Sequence, residues 1–398
     1  MSNRRAFSPA RFWAIVVKEF VQMRRDRLTF AMMIGIPLIQ LVLFGYAINS
    51  DPRNLPTAVL VADHGPHGRT LLYAIKNSGY FDFVRELKTE AEADAALARG
   101  EVLFVVQIPE NFSRDFLRGD RPVLLVEADA TDPAATSNAV GALRSLLETA
   151  LLNDLKGPLA PLAAGQPSPR SEAGAGGDRP FGGSGPVELR VHARYNPEAV
   201  TQYNIVPGLM GVVLTLTMIL ITGLAMTRER ERGTMENLLS MPVRPFEVLT
   251  GKIAPYILVG YVQVALILVT ARYLFRVPMA GNLGLLLAAT LVFIAANLAV
   301  GITFSTVAKN QLQAMQMTFF FFLPSILLSG FMFPFRGMPG WAQVIGEVLP
   351  LTHYLRIIRG ILLKGNGLEE VAPELWPIAL FAAVALTVAV KRYRRTLD

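Results

Sequence analysis

Six long apolar runs constrain the fold of this chain more than any other feature of its sequence. They occupy residues 28–48, 205–226, 253–275, 283–307, 312–334 and 375–390. A helix needs about 20 apolar residues to cross the roughly 30 Å hydrocarbon core of a bilayer. Only 17% of the 398 residues are charged, whereas about 25% is usual in soluble domains. We therefore predict a polytopic α-helical membrane protein with six transmembrane helices.

The basic residues predict the orientation of these helices. Segments 1–27, 227–252, 308–311 and 391–398 together hold seventeen Lys and Arg, against five in the short loops on the other side. Short cytoplasmic loops carry an excess of Lys and Arg, so we expect both termini in the cytoplasm and the chain in the inner (plasma) membrane. The net charge of +7 is then explained by anionic membrane lipid, and no nucleic-acid partner is expected.

Residues 49–204 separate the first two runs and are expected to lie outside the cytoplasm. Strand patterns at 57–62, 81–87, 101–108, 122–128 and 187–195 alternate with helix patterns at 68–78, 89–99, 110–118 and 133–155. This alternation predicts an inserted α/β extracytoplasmic domain with a mostly parallel sheet. Within it, residues 157–186 are rich in Gly, Pro, Ala and Ser, a composition that predicts a disordered insertion.

The remaining segments complete the predicted domain organisation. Residues 1–27 form a cytoplasmic N-terminus that contains an amphipathic interfacial helix, and residues 28–48 form the first transmembrane helix. Residues 205–390 hold transmembrane helices 2–6, with a cytoplasmic loop at 227–252 and an external re-entrant segment at 335–374. A cytoplasmic tail follows at 391–398.

The sequence contains few residues that could form an active site or bind a metal ion. Cysteine is absent and the four His are scattered, so we expect no catalytic residue, cofactor or metal ion. Gly251-Lys252 lacks the upstream Gly and the Ser/Thr of a phosphate-binding loop. Asp63, Asp129 and Asp132 end predicted strands, where turn and cap roles are commoner than catalysis. The apolar runs contain no Asp, Glu, Lys or His, which argues against ion-coupled transport.

The polar loop 227–252 is the strongest functional signal. Its alternating charges from Arg228 to Arg232 are explained by a solvated helix. A solvated helix does not explain the residues that follow. A Gly-Thr pair interrupts the run of charges, and an acidic residue and a Leu-Leu pair come next. A proline then ends the element. A short element with fixed acids and an exposed apolar knob fits a cleft on a soluble partner. The candidate contact residues are Glu231, Gly233, Thr234, Glu236, Leu239 and Pro242.

A second motif extends from the end of the fifth run into segment 335–374. Proline residues there bracket short helical pieces with apolar faces, which are expected in the outer interface or dipping into the protein. The motif residues are Gly330, Pro334, Pro339, Trp341, Pro350, Tyr354, Arg359 and Gly360.

The two motifs, in these topological positions, resemble those of type-2 ABC transporter permeases. The large domain between the first two spans is similar to that of the exporter subgroup related to multidrug and sodium export permeases. The resemblance implies a permease that pairs with a second copy or a paralogue and with separate ABC ATP-binding subunits. ATP would be bound by those subunits, which would push on the interfacial helix and on loop 227–252. A periplasmic adaptor could dock on the external domain.

Two other classes of function compete with an ATP-driven exporter of lipophilic or drug-like substrates. A membrane-anchored receptor or sensor would explain the external domain, but it would leave four further spans and the second motif unexplained. A secondary transporter is disfavoured because the apolar runs contain a single charged residue, Arg272, which is near the end of its run.

Overall fold

The computed structural model describes residues 52–150, 186–198, 200–231 and 245–395. The first part is an α/β domain built on a five-stranded sheet in the order β2-β1-β3-β4-β5. Its elements are β1 (Leu55–Val61), α1 (Pro66–Asn77), β2 (Phe81–Leu87), α2 (Glu90–Ala98), β3 (Phe104–Ile108), α3 (Phe112–Arg118), β4 (Val123–Asp129), α4 (Pro133–Thr149) and β5 (Glu188–Arg194).

The sheet confirms the predicted mostly parallel pairing. Strand β1 runs parallel to β2 and β3, and β4 runs parallel to β5. Only the β3–β4 pair is antiparallel. Phe81, Phe104 and Phe112 are buried between the sheet and its helices. The predicted strands and helices are present within three residues of their expected bounds, except that the helix predicted at 133–155 ends at Thr149. Residues 151–155 and almost all of the predicted insertion at 157–186 lie outside the described residues.

The second part is helical. Its α-helices are α5 (Thr201–Glu231), α6 (Pro245–Tyr273), α7 (Leu283–Val307), α8 (Gln311–Leu328), α9 (Gly340–Val348), α10 (Pro350–Arg359) and α11 (Leu368–Arg395). A 3-10 turn at Phe335–Gly337 precedes α9, and a π-helical turn at Gly360–Lys364 follows α10. Within the described residues, helices α5, α6, α7, α8 and α11 are long and apolar enough to cross a membrane. The predicted first span and interfacial helix lie outside the described residues.

Two of the predicted span boundaries were wrong. Helix α8 ends at Leu328 rather than at residue 334, because Gly330 adopts a left-handed φ of 83° and turns the chain. Helix α11 begins at Leu368 rather than at residue 375 and therefore includes Glu374. The segment between these helices therefore covers residues 329–367 and is shifted toward the N-terminus relative to the predicted 335–374.

Helices α5 and α7 form the centre of the bundle, whereas α6 and α11 leave most of their length exposed. A Cβ atom on Gly301 of α7 would lie 2.8 Å from the carbonyl oxygen of Ile219 on α5. Small residues of this kind let membrane helices approach closely. Gln263 of α6 accepts a hydrogen bond of 2.9 Å from Thr217 of α5, which joins these two helices. Asn297 instead donates to Phe293 within its own helix.

Candidate functional site

The first part of loop 227–252 continues helix α5 beyond its apolar span. Within this extension, Glu231 reaches the start of helix α8. Its carboxylate accepts hydrogen bonds from the backbone nitrogen and the side-chain nitrogen of Gln311, at 2.8 Å and 2.5 Å. Arg228 Nε donates to Gln311 Oε1 over 3.3 Å. One glutamine thus joins Arg228 and Glu231 of α5 to the turn between α7 and α8.

The start of α8 is fixed by local capping. Asn310 is the N-cap, and its side chain accepts from the backbone nitrogen of Gln313. The side chain of Gln313 in turn accepts from the backbone nitrogen of Lys309. Reciprocal bonds of this kind satisfy amide groups that the first helical turn leaves unpaired. Gln311 is therefore held in a defined position, and a displacement of α5 would be transmitted to α8 through it.

The charge of Glu231 is stabilised at this contact. Its side-chain hydrogen bond to Gln311, and then the backbone bond to the same residue, lower the pKa of Glu231 below its usual range. The carboxylate is solvent-exposed, so it stays ionised and accessible to a partner. We call Arg228, Glu231 and Gln311 the coupling triad.

The structure tests only part of the predicted contact surface. Of the six candidate residues, Glu231 lies in the described part of the chain, and the others lie outside it: Gly233, Thr234, Glu236, Leu239 and Pro242. Gln311 was missed by the sequence reasoning. Its position directly after the Lys309-Asn310 turn, on the same predicted side as loop 227–252, was the available signal.

The second motif builds the outer segment, residues 329–367, between α8 and α11. Its prolines mark helix starts: Pro334 and Pro339 are the N-cap residues of the 3-10 turn and of α9, and Pro350 is the first residue of α10. Proline suits these positions because it has no amide hydrogen that the helix would need. Trp341 is 43% exposed, and it shares an exposed apolar face of α9 with Val344. This face fits the predicted location in the outer interface.

The last three residues of this motif, Tyr354, Arg359 and Gly360, make contacts inside the protein. Tyr354 is fully buried, stacks on Phe293 with ring centroids 4.0 Å apart, and shares a 2.8 Å hydrogen bond with Thr290. Arg359 Nη1 donates to the carbonyl oxygen of Gly330 over 3.3 Å. A Cβ atom on Gly360 would lie 2.8 Å from the side-chain nitrogen of Asn366. These contacts tie α10 into the centre of the bundle.

The α/β domain rests on the end of the outer segment. Lys364 Nζ lies 2.5 Å from Asp129 Oδ2 and donates to the carbonyl oxygen of Leu97 over 3.0 Å. Asn366 donates to the carbonyl oxygen of Ala98 over 3.1 Å. Leu97 and Ala98 lie in the last turn of α2, so the outer segment contacts the carbonyl end of this helix.

The three aspartates that follow predicted strands make contacts that stabilise the local fold. Asp63 accepts from the backbone nitrogens of Gly65 and Ser113. Asp129 is buried and accepts from Thr131 as well as pairing with Lys364. The carbonyl oxygen of Asp132 accepts from Thr136. Among the described residues, no group of His, Asp or Glu is arranged to hold a metal ion.

Comparison with known proteins identifies a family and several relatives that this chain is similar to. The family model described as "ABC-2 family transporter protein" matches residues 27–391. The chain is 27% identical to the probable multidrug ABC transporter permease YbhR of Escherichia coli K12, over 97% of this chain and 98% of that protein. It is 31% identical to the inner membrane transport permease YhhJ of the same strain, over 78% of each. It is also 24% identical to ABC transporter G family member 20 of Dictyostelium discoideum, over 91% of this chain and 47% of that protein.

Proposed function

This chain belongs to the ABC-2 family of transporter proteins and is a membrane permease subunit of an ABC exporter, and we propose that it moves lipophilic or drug-like substrates. The substrate would leave the cytoplasm or the inner leaflet at the expense of ATP bound by a separate subunit. The similarity to probable multidrug permeases such as YbhR supports this substrate class. The mostly apolar spans suit it too, since they offer a lipophilic molecule a surface with few charges.

The proposed topology has six spans, with residues 28–48 added to the five helices described above. Both termini would lie in the cytoplasm and the α/β domain outside it. The excess of Lys and Arg in segments 1–27, 227–252 and 391–398 supports this orientation. In this arrangement the coupling triad lies at the cytoplasmic end of the bundle, and the outer segment lies at the other end.

The coupling triad is the observation that carries the proposed mechanism. Loop 227–252 would insert between the permease and the ATP-binding subunit, as its resemblance to the type-2 permease motif implies. A push on that loop would reach α5 directly and α8 through the bonds between Glu231 and Gln311. Because α5 packs closely on α7 at Gly301, the movement would include the centre of the bundle. Alternation between inward-open and outward-open states would follow.

The proposed assembly contains two permeases and two ATP-binding subunits. The second permease would be another copy of this chain or a paralogue. A periplasmic adaptor is the proposed partner of the α/β domain, which is motivated by the size of that domain and by its proposed external position. Allosteric coupling is reciprocal for binding free energies, so a transported substrate is expected to change the affinity of the ATP-binding subunits for ATP.

Purification of the tagged chain in mild detergent tests the central proposal. We expect an ATP-binding subunit to co-purify and its ATPase activity to respond to lipophilic compounds. Glu231→Ala should reduce that response by removing the acceptor for Gln311. Lys391→Ala, which changes an exposed charge on α11, is the matched control and should retain it. A chain that purifies alone without ATPase activity would contradict the proposal.

A further inference from the structure

Four charged or titratable side chains meet where α9, α10 and α11 converge. Glu347 lies at the end of α9, His353 and Arg356 lie on α10, and Glu374 lies in the first turns of α11. We call these residues the outer cluster. None of them belongs to the coupling triad or to the eight residues of the second motif.

The two ring nitrogens of His353 both face oxygen atoms. Nδ1 lies 2.5 Å from Glu374 Oε2, and Nε2 lies 2.8 Å from the carbonyl oxygen of Glu347. A carbonyl oxygen only accepts hydrogen bonds, and an ionised carboxylate does the same. A neutral imidazole has one N–H group and can satisfy only one of these two partners. The geometry therefore requires one more proton than a neutral histidine beside an ionised glutamate supplies.

Burial makes that requirement stringent. The side chain of His353 is 7% exposed and that of Glu374 is 26% exposed. Without the additional proton, a lone pair on nitrogen would face a lone pair on oxygen where little water can intervene. Such an unsatisfied buried contact is unfavourable, so one of the two contacts would open instead.

The carboxylate of Glu374 beside His353 favours the protonated pair, and the positive charge of Arg356 opposes it. Arg356 donates to both Glu347 and Glu374, at 2.5 Å and 3.3 Å, and so holds the two carboxylates around His353. Arg336 is the other cation near these groups, and its electrostatic partners are Arg356, Glu347 and Glu374. Helices α7 and α8, which also pack on α10, contain no charged residue, and the charges of α5 are at its far end. Burial alone would lower the pKa of His353, but the bonds to Glu374 and to the carbonyl of Glu347 outweigh it and raise the pKa.

We propose that His353 and Glu374 form a proton-binding site that fastens α10 to the start of α11. With the proton bound, both contacts of His353 are satisfied and the outer cluster is closed. Loss of the proton opens the contact with Glu374 or the contact with the end of α9. The half-exposed Glu347 and Arg356 border the pair and give protons a route from solvent. The acidity of the surrounding compartment would then determine how firmly the outer segment is held.

An NMR titration of His353 tests proton binding directly. Replacement of His64, His67 and His192 by Gln leaves His353 as the single histidine, and labelled Cε1 and ring nitrogens then report its protonation. Proton binding requires no ATP-binding subunit, so the full chain in nanodiscs suffices. We expect a midpoint above the 6.5 of an ordinary histidine. A midpoint at or below that value would overturn the proposal.

A pair of variants tests whether Glu374 raises the titration midpoint of His353. Glu374→Gln removes the charge that faces Nδ1 and should shift the midpoint of His353 downward. Glu369→Gln changes an exposed carboxylate in the first turn of the same helix and should leave the midpoint unchanged. Equal midpoints in the two variants would rule out the pair as the site. If Glu374→Gln does not fold, the titration with Glu374 intact remains decisive.

Spin labels test the fastening. Because the chain contains no cysteine, Val344→Cys on α9 and Trp376→Cys on α11 provide a unique pair of exposed positions. We expect a narrow distance distribution below the midpoint of His353 and a broader one above it. A distribution that is independent of pH would show that proton binding does not fasten the segment.

Discussion

Lys364 and Asp129 form an ion pair, with 2.5 Å between Nζ and Oδ2, across the boundary between the outer segment and the α/β domain. Their side chains are only 8% and 3% exposed. Asp129 is further held by the hydroxyl and backbone nitrogen of Thr131, and Lys364 lies over the ring of Tyr195. The negative charge of Asp129 and the positive charge of Lys364 therefore compensate each other, and each group has a further contact within the α/β domain.

Removal of one partner of this pair should loosen the domain. Asp129→Asn leaves the Lys364 ammonium group buried without its counter-charge, and losses of this kind cost about 3–5 kcal/mol. We expect faster protease cleavage near the boundary and a lower melting temperature. The control is Glu188→Gln, which breaks the exposed pair with Arg190 and should cost at most about 1 kcal/mol. Equal effects of the two substitutions would contradict this prediction.

Gly301→Ala should destabilise the centre of the bundle. The added Cβ would lie 2.8 Å from the carbonyl oxygen of Ile219 and 2.9 Å from Cβ of Thr222, so helices α5 and α7 would have to separate. Overpacking of this kind costs about 1–3 kcal/mol. Gly141→Ala in α4 is the matched control, because no atom lies within 4 Å of its added Cβ. Thermal unfolding in detergent should show a loss for the first variant and none for the second.

Substitutions in the predicted partner surface should abolish export without affecting membrane insertion. Gly233→Trp would block close approach of the partner's backbone, and Glu236→Arg would reverse a charge that we expect to meet basic or amide groups. Efflux of a fluorescent lipophilic compound from cells, at equal expression, provides the measurement. Wild-type efflux from either variant would contradict the assignment of loop 227–252 as the coupling element.

The α/β domain should be the site at which an adaptor docks. Photo-reactive residues introduced at exposed positions of this domain, such as Tyr73 on α1, should cross-link to a periplasmic protein in cells. The same residue placed at Leu266, on the exposed side of α6, is the control and should give no such product. Cross-linking that finds no adaptor on any exposed face of the domain would contradict this part of the proposal.

The stability of the protein should also depend on pH through His353. A histidine whose pKa is raised on folding contributes stability below its unfolded pKa, and this contribution is lost as the pH rises through the folded value. We therefore expect the melting temperature to fall as the pH rises from the unfolded pKa of His353 through its higher folded pKa. His353→Gln should remove this component of the pH dependence, whereas His192→Gln, at an exposed position on β5, should retain it.

The sequence predicted those elements whose patterns are local. Helix α7 was predicted with its observed bounds, Leu283–Val307, because an apolar run ends there at polar residues. The end of α8 was missed because it depends on the left-handed backbone of Gly330. The start of α11 was missed because Glu369, Glu370 and Glu374 made its first turns look like a loop.

The contacts between distant residues could not be predicted in the same way. Asp129 and Lys364 are 235 positions apart, and nothing in either local pattern indicates the other. The same holds for Glu231 and Gln311, which are 80 positions apart. His353 was one of four scattered histidines, and its environment depends on the packing of α9 and α11. Functional pairs of this kind arise from tertiary structure, which periodicity does not report.

Within the described residues, the α/β domain is attached to the helical bundle at two separate places. The chain itself passes from β5 into α5 through a short turn in which Asn196 bonds both the nitrogen and the oxygen of Val200. Lys364 and Asn366 supply the second attachment at the end of α2. A body pinned at two points cannot swivel freely about either one. We expect the domain to keep the same orientation in single-particle images and to serve as a natural fiducial for aligning a small membrane protein in its micelle.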